Sequence, residues 1–276
     1  MNYTITCIGS GNMGSALMKA AARVAGGAAI ALTDADRERA LRLAEELGGG
    51  ALAANIEAAA AGRFVFLAVK PQVAPSVLGE IAPVLTQRFS KGNPAVLVSI
   101  VAGLSIATMK QQLAAAGGPA DQPIIRLMPN TPALVARGMI ALAASSEVPS
   151  SAVEDLTQLL SLAGIVDQID ERYMDAVTAL SGSGPAFVYL FIEALADAGV
   201  RCGLSRDKAL RYASRTVLGS AAMVEETGKH PGLLKDEVAS PAGTTIAGIA
   251  ALEAGAFRGT VMAAVDAAWK RARELG

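Results

Sequence analysis

The sequence predicts an α/β chain: a doubly wound sheet in the first part, followed by an all-helical second part. Three observations carry that prediction. Short β-branched or aromatic runs alternate with Ala/Leu/charge stretches at helical spacing, the pattern of a parallel sheet wrapped by helices. The first of these runs passes straight into "GSGNMG", which opens a helical pattern. After about Asp170 the strand signals stop, and long Ala/Leu-rich segments continue to the C-terminus.

The strands are expected at Tyr3 to Ile8, Ala29 to Thr33, Phe64 to Val69, Ala95 to Val101, Ile124 to Met128, Met139 to Ala143 and Ile165 to Ile169. Met13 to Ala25, Arg37 to Leu47 and Ser151 to Leu162 are expected as helices between them. The later helices are Pro185 to Ala198, Arg206 to Glu226, Thr244 to Ala254 and Phe257 to Glu274. Two domains follow, residues 1–169 and 170–276. The segment from Pro185 is apolar on nearly every face and reads as buried, either against a second subunit, which is the favoured reading, or among its own neighbours.

Composition narrows the function classes. The chain has 276 residues, 52% hydrophobic and 18% charged, enough for one large core or two moderate ones. With 24 Lys plus Arg against 25 Asp plus Glu, it has no electrostatic footprint for nucleic acid or an acidic membrane. Cys7, Cys202 and a single His230 exclude a disulfide framework and a metal cluster as expectations. No basic leader precedes a long apolar run at the N-terminus, so a cytoplasmic location is expected. The apolar stretch from Pro185 meets Glu193 and Asp197 before the roughly 20 residues that a bilayer requires.

Gly9, Gly11 and Gly14 have the G-x-G-x-x-G spacing between a first strand and a first helix. That context supplies the tight turn, the close backbone approach and the helix amides that a pyrophosphate needs, and it makes the first domain a Rossmann-type dinucleotide fold. At the end of the second strand stands Asp34. Its carboxylate can accept from ribose hydroxyls and would repel a 2′-phosphate, which taken alone favours NADH over NADPH. Alternatively Asp34 or Asp36 caps the next helix, and Arg37 nearby could answer a 2′-phosphate. Further strand ends close in "AVKPQ", "SIVAG" and "RLMPNTP", on the side where ligands bind in open α/β sheets. "LSGSGPAF" offers Ser183 as an N-cap and Pro185 at a helix start, leaving Ser181 as a spare hydroxyl.

In "ASPAGTTIAGIAALE", Ser240, Thr244 and Thr245 offer more hydroxyls than one helix cap uses. Glycine beside free helix amides points to a bound carboxylate or phosphate. An elaborate cap beside a tight turn is the alternative.

With the glycine loop, "AVKP", "RLMPNTP", "LSGSGPA" and "SPAGTTIAGIAALE" in order, the chain resembles the pyrroline-5-carboxylate reductases from end to end. The resemblance implies a helical dimerisation domain, homodimers that often assemble into a decamer, and NADPH or NADH as cofactor. It implies reduction of L-1-pyrroline-5-carboxylate to L-proline by hydride transfer to the cyclic imine, the last step of proline biosynthesis. The cofactor positions it implies are Ile8, Gly9, Ser10, Gly11, Asn12, Met13 and Gly14 in the loop, then Asn55. Ala68, Val69, Lys70 and Pro71 follow, with Ile100, Val101 and Ala102. On the substrate side it implies Glu171, Ser181, Ser240, Gly243, Thr244 and Thr245, the last also as the polarising catalytic group. From the residues alone, Asp170 and Glu171 are acidic residues favoured in a helix's first turn.

The chain departs from many relatives at Ala242-Gly243, where they carry Gly-Gly, and at Asp34, where they carry a polar, uncharged or basic stretch. The second departure bears on the usual NADPH preference. No obvious general acid stands ready, because the helix from Pro185 holds no Lys and His230 reads as a loop residue. The same gap argues against a β-hydroxyacid dehydrogenase, which needs a lysine acid there. Reduction of another cyclic imine, or a non-catalytic nucleotide sensor on the same fold, remain as alternatives.

Overall fold

The computed structural model describes residues 3–275. Met1, Asn2 and Gly276, which fall in the leader and domain readings, lie outside the described residues. The first strands and helices are β1 (Tyr3–Ile8), α1 (Asn12–Ala25), β2 (Ile30–Thr33), α2 (Arg37–Leu47), β3 (Gly50–Ala51), α3 (Asn55–Ala61) and β4 (Gly62–Leu67). There follow α4 (Ala74–Ser90), β5 (Val96–Ser99), α5 (Ile106–Ala115), β6 (Ile124–Pro129), β7 (Gly138–Ala144), α6 (Ser150–Leu160), β8 (Gly164–Gln168) and the short α7 (Met174–Val177).

The strands form one eight-stranded sheet in the order β3-β2-β1-β4-β5-β6-β7-β8. Neighbours are parallel except β6 and β7, so the sheet is mixed and not wholly parallel. Residues 130–137 join those two strands, and they are too few for a crossover, which takes about a dozen residues or more. On one face Leu17 and Met18 of α1, Leu43 of α2, and Leu156 and Leu160 of α6 cover Ile5, Cys7 and Phe66. On the other, Leu78 and Ile81 of α4 and Met109 and Leu113 of α5 cover Val65, Leu67 and Leu97. Periodicity alone does not isolate α4, because it contains two prolines. Pro75 sits in the first turn, where a missing N–H costs nothing, and Pro83 lies inside the helix.

Arg88, at the end of α4, is buried without a carboxylate partner among the described residues. Its Nη1 donates to the carbonyls of Ala59 (2.7 Å) and Gly62 (2.6 Å), and its Nε to that of Asn93 (3.2 Å). The guanidinium thus satisfies carbonyls at the C-terminus of α3, where the helix dipole favours a cation. Arg88→Ala is expected to cost about 3 kcal/mol and roughly 6 °C or more in Tm, read by thermal unfolding, because these carbonyls lose their donor inside the protein.

The chain divides into two units, Met1–Gly182 with Ala268–Gly276, and Ser183–Ala267. Residues 170–182 go with the sheet: Met174 is buried against Ala141 and Ala143 of β7. At the other end of the chain, Gly103 lies so close to the Leu275 carbonyl that a Cβ there would stand 2.8 Å from it.

The second unit is helical: α8 (Gly184–Arg201), α9 (Arg206–Thr227), α10 (Pro231–Glu237), α11 (Thr244–Ala254) and the start of α12 (Phe257–Leu275). α8 meets α9 through a seam of small residues, Ala196, Ala209 and Ala213, with Ile192 and Val200. Elsewhere α8 is not buried within its own chain, so its own neighbours do not enclose it. Tyr189 is 58% and Leu190 68% exposed, and Leu210, Leu218 and Met262 are exposed as well. Exposure of that extent marks a surface for another body. By length and composition alone, Glu171–Arg201 would also pass for a membrane span.

Ser183 stands at the N-cap position of α8 but makes no capping bond, because the chain enters α8 from a π-helical turn, Thr178–Gly182. His230 closes the loop that precedes α10, as expected, and has a further role there. It caps α10, its Nδ1 accepting from the Gly232 amide at 3.1 Å.

Candidate cofactor and substrate site

The glycine loop joins the end of β1 to α1, and its three glycines serve different needs. Gly9 has φ +102°, and a Cβ there would collide with the Ala68 carbonyl of the neighbouring strand end. At Gly14 a Cβ would come within 2.7 Å of the Gly9 carbonyl, so this glycine lets α1 seat close to the loop. Gly11 is otherwise: nothing lies within 4 Å of a Cβ built on it, and its ordinary φ of −65° any residue can adopt. It borders a cavity of about 620 Å³, at an α1 N-terminus with no side-chain cap. Open space beside uncapped helix amides fits a pyrophosphate.

Around that cavity the ends of three neighbouring strands converge. Ile8, Gly9 and Gly11 come from the end of β1, Thr33 and Asp34 from the end of β2, and Ala68, Val69 and Lys70 from the end of β4. Asn55 lines it from the start of α3. The sequence reading missed Glu80 on α4, which accepts from Asn55 Nδ2 at 2.7 Å, and Arg39 on α2. Glu80 lies one turn beyond Val77 and two beyond Val73, which also line the cavity; only the helical spacing could have pointed to it.

Asp34 does not cap α2; Asp36 does, accepting from the Arg39 amide at 3.1 Å. Instead, the Asp34 carboxylate reaches the glycine loop. Oδ2 accepts from the Ser10 amide (2.6 Å) and the Ser10 hydroxyl (2.8 Å), and Oδ1 from the Asp36 amide (2.9 Å). Burial pushes its pKa up, but the hydrogen bonds from Ser10 and Asp36 and the charge of Arg39 outweigh it and hold the group below its ordinary value. Asp34 therefore stays ionised at the cavity rim. Arg37 and Lys70 line the same cavity and make no ion pair among the described residues.

Other expected cofactor positions do not border the cavity. Ser10 is 2% exposed and is spent on Asp34. Met13 and Gly14 pack within α1, while Asn12 and Pro71 are exposed. Beyond β5, Val101 turns its side chain into the core beside Leu104 and Ile106, leaving Ile100 half-buried and Ala102 exposed.

Glu171 works inside the fold. Its Oε1 accepts from the Ile106 amide at 2.7 Å, at the start of α5, and pairs with the buried Arg126 at 3.2 Å. Ser181 lies on the π-helical turn, where Asn130, the first residue after β6, donates to its Oγ (3.1 Å) and its carbonyl (3.2 Å).

Ser240, Gly243, Thr244 and Thr245 belong to the second unit. Gly243 is the N-cap residue of α11, with no side-chain cap. The hydroxyls of Ser240, Thr244 and Thr245 thus leave the helix uncapped and make no hydrogen bond among the described residues. Ala242 has φ +56°, and the Gly243 amide donates to the Ser240 carbonyl at 3.1 Å, which closes the turn. Among the described residues, no group of His, Cys, Asp and Glu could hold a metal.

Comparison with known proteins decides the family. The chain is 42% identical to a pyrroline-5-carboxylate reductase of Pisum sativum, over 99% of this chain and 96% of the relative. This chain belongs to the pyrroline-5-carboxylate reductase family. A pyrroline-5-carboxylate reductase of Corynebacterium melassecola is 40% identical, over 99% of this chain and 98% of its own.

Residues 171–275 match the family described as pyrroline-5-carboxylate reductase dimerisation, and residues 4–103 the family described as NADP oxidoreductase, coenzyme F420-dependent. A Plasmodium falciparum pyrroline carboxylate reductase with NADP bound superposes with a TM-score of 0.86 at 34% identity, covering 100% of this chain and 98% of that one.

The reductase accordingly converts L-1-pyrroline-5-carboxylate to L-proline with NAD(P)H, and it is a homo-oligomer. Its exposed apolar helices fall within the matched dimerisation region.

Proposed function

We propose that the loop opening α11 receives the substrate carboxylate and that Thr245 polarises the ring. The observation carrying this is the helix start itself, with three hydroxyls and a first turn of amides that its own chain leaves unused. When bound, the reduced nicotinamide supplies the hydride that C5 of the imine accepts. With the imine already protonated, the protein's work is to position it and exclude water, which suits a site without a ready general acid. His230 is committed to capping, and α8 carries no lysine. Ser181 is a further substrate donor. Glu171 acts from behind, fixing the start of α5, which follows the loop of Ile100 and Ala102. The enzyme works in the cytoplasm, as dimers that assemble into decamers, with no nucleic-acid or membrane partner.

For the cofactor, we propose that Asp34 biases the enzyme toward NADH. Its ionised carboxylate is fixed at the cavity rim by Ser10, whose two bonds fill Oδ2, and Oδ1, with one bond from the Asp36 amide, retains room for a ribose hydroxyl, whereas a 2′-phosphate would meet negative charge. Arg37 and Lys70, unpaired on the same cavity, support the opposite preference.

The deciding experiment is the initial rate of NADH and NADPH oxidation with pyrroline-5-carboxylate. Asp34→Ser is expected to move the NADPH/NADH ratio of kcat/KM up by roughly 10- to 100-fold, and taking the ratio cancels any loosening of the loop. A wild-type preference for NADPH that Asp34→Ser leaves unmoved would remove Asp34 from cofactor choice. No turnover with either, despite tight binding, would point to another imine or to a sensor.

A further inference from the structure

We infer that Asn130 is a positioning residue that fixes the Ser181 hydroxyl as a hydrogen-bond donor toward an acceptor on the substrate. This rests on the reading of Ser181 as a substrate contact.

The orientation of the Asn130 amide is settled by its neighbours. Its Oδ1 takes the backbone N–H of Met139 at 2.9 Å, and a backbone amide can only donate. Nδ2 must therefore face Ser181, where it donates to Oγ at 3.1 Å and to the carbonyl at 3.2 Å. Because Oγ accepts there, its own proton has to point elsewhere. The carbonyl bond has a separate logic. A π-helical turn interrupts the regular i to i−4 ladder, and the side chain of Asn130 supplies a donor to a carbonyl within it.

The turn is fixed in place as well as in polarity. Gly182 abuts the end of β6, where a Cβ would come within 2.7 Å of Met128 Cε. Asn130 directly follows that strand, at the carboxyl edge where β5 leads into Ile100 and Ala102. In the parallel part of the sheet this is the edge on which ligands bind. One amide thus joins the start of β7, the end of β6 and the π-helical turn, and it leaves Ser181 with a single useful act, donation to an acceptor in the crevice.

The test is a double-mutant cycle on the full-length oligomer with pyrroline-5-carboxylate, together with direct measurement of cofactor Kd. Ser181→Ala is expected to raise KM about tenfold or more, as does loss of a hydrogen bond to a charged group. Asn130→Ala should raise it by a similar factor, and the double variant by no more than the larger single effect, since Asn130 acts through Ser181.

Asn130→Asp keeps the size and the Met139 bond, but its second oxygen accepts from Ser181 and turns the proton inward. It should raise KM at least as much as Asn130→Ala, and it serves in the same cycle if the alanine variant fails to fold. Effects that multiply to about a hundredfold in the double variant would overturn the coupling, as would a loss confined to cofactor Kd. An unchanged KM in Ser181→Ala would instead sink the reading of Ser181 itself, and absence of wild-type turnover the assignment of the substrate.

Discussion

Gly11→Val should weaken binding of both NADH and NADPH by about 100-fold or more while the Tm stays within about 4 °C of the parent. The asymmetry follows from where this glycine sits. Nothing lies within 4 Å of a Cβ built there, and its φ of −65° is open to any residue, so the fold gives no reason for a glycine. What remains is the ligand: the isopropyl group would occupy the space beside the α1 amides that a pyrophosphate requires. The change in N-cap residue costs about 1 kcal/mol at most. Gly9→Val is the control that must fail differently, since its side chain would collide with the Ala68 carbonyl from a left-handed backbone, and both stability and binding should fall. Titration of each cofactor by fluorescence alongside thermal unfolding reads the two quantities apart. Retained affinity in Gly11→Val would place the pyrophosphate elsewhere.

Thr245→Ala should lower kcat with pyrroline-5-carboxylate by roughly 10- to 100-fold. The hydroxyl makes no hydrogen bond among the described residues and the α11 start does not use it as a cap, so its removal takes little from the fold. If the bond it gives strengthens as the hydride arrives, the loss appears in kcat; if it only holds the ground state, it appears in KM alone. Thr245→Ser retains the oxygen and should retain most of the rate, whereas Thr245→Val retains the shape and should not. Steady-state kinetics of the three variants decide it, and unchanged kinetics in Thr245→Ala would take the residue out of the mechanism.

Much of this was legible in the sequence, for identifiable physical reasons. The glycine loop declares itself because close approach excludes side chains at fixed spacing between a strand and a helix, and the strand ends around it follow from the sheet's direction. Asp34 was legible as a position but not in its use. Its partner Ser10 lies 24 residues earlier, and no periodicity ties the two. Asn130 is similar: the "MPNTP" string marks a strand end, while its bonds reach residues 9 and 51 positions away. Glu171 pairs with Arg126 and with the start of α5, contacts that only the folded sheet creates. For α8, hydrophobicity marks a helix that seeks cover, but composition cannot say whether that cover is the same chain or another copy, and within its own chain the helix stays exposed.

The division of the chain has a consequence for its synthesis. The first unit is not a contiguous stretch: it is closed by residues from Ala268 onward, which are made only after the whole helical unit. The nucleotide-binding half therefore emerges early yet stays unfinished until the helical unit has been made, and Gly103 meets Leu275 only then. A nascent chain would hold a sheet already able to form while its closing segment was still to be made, so completion of this domain waits on synthesis of the helical one.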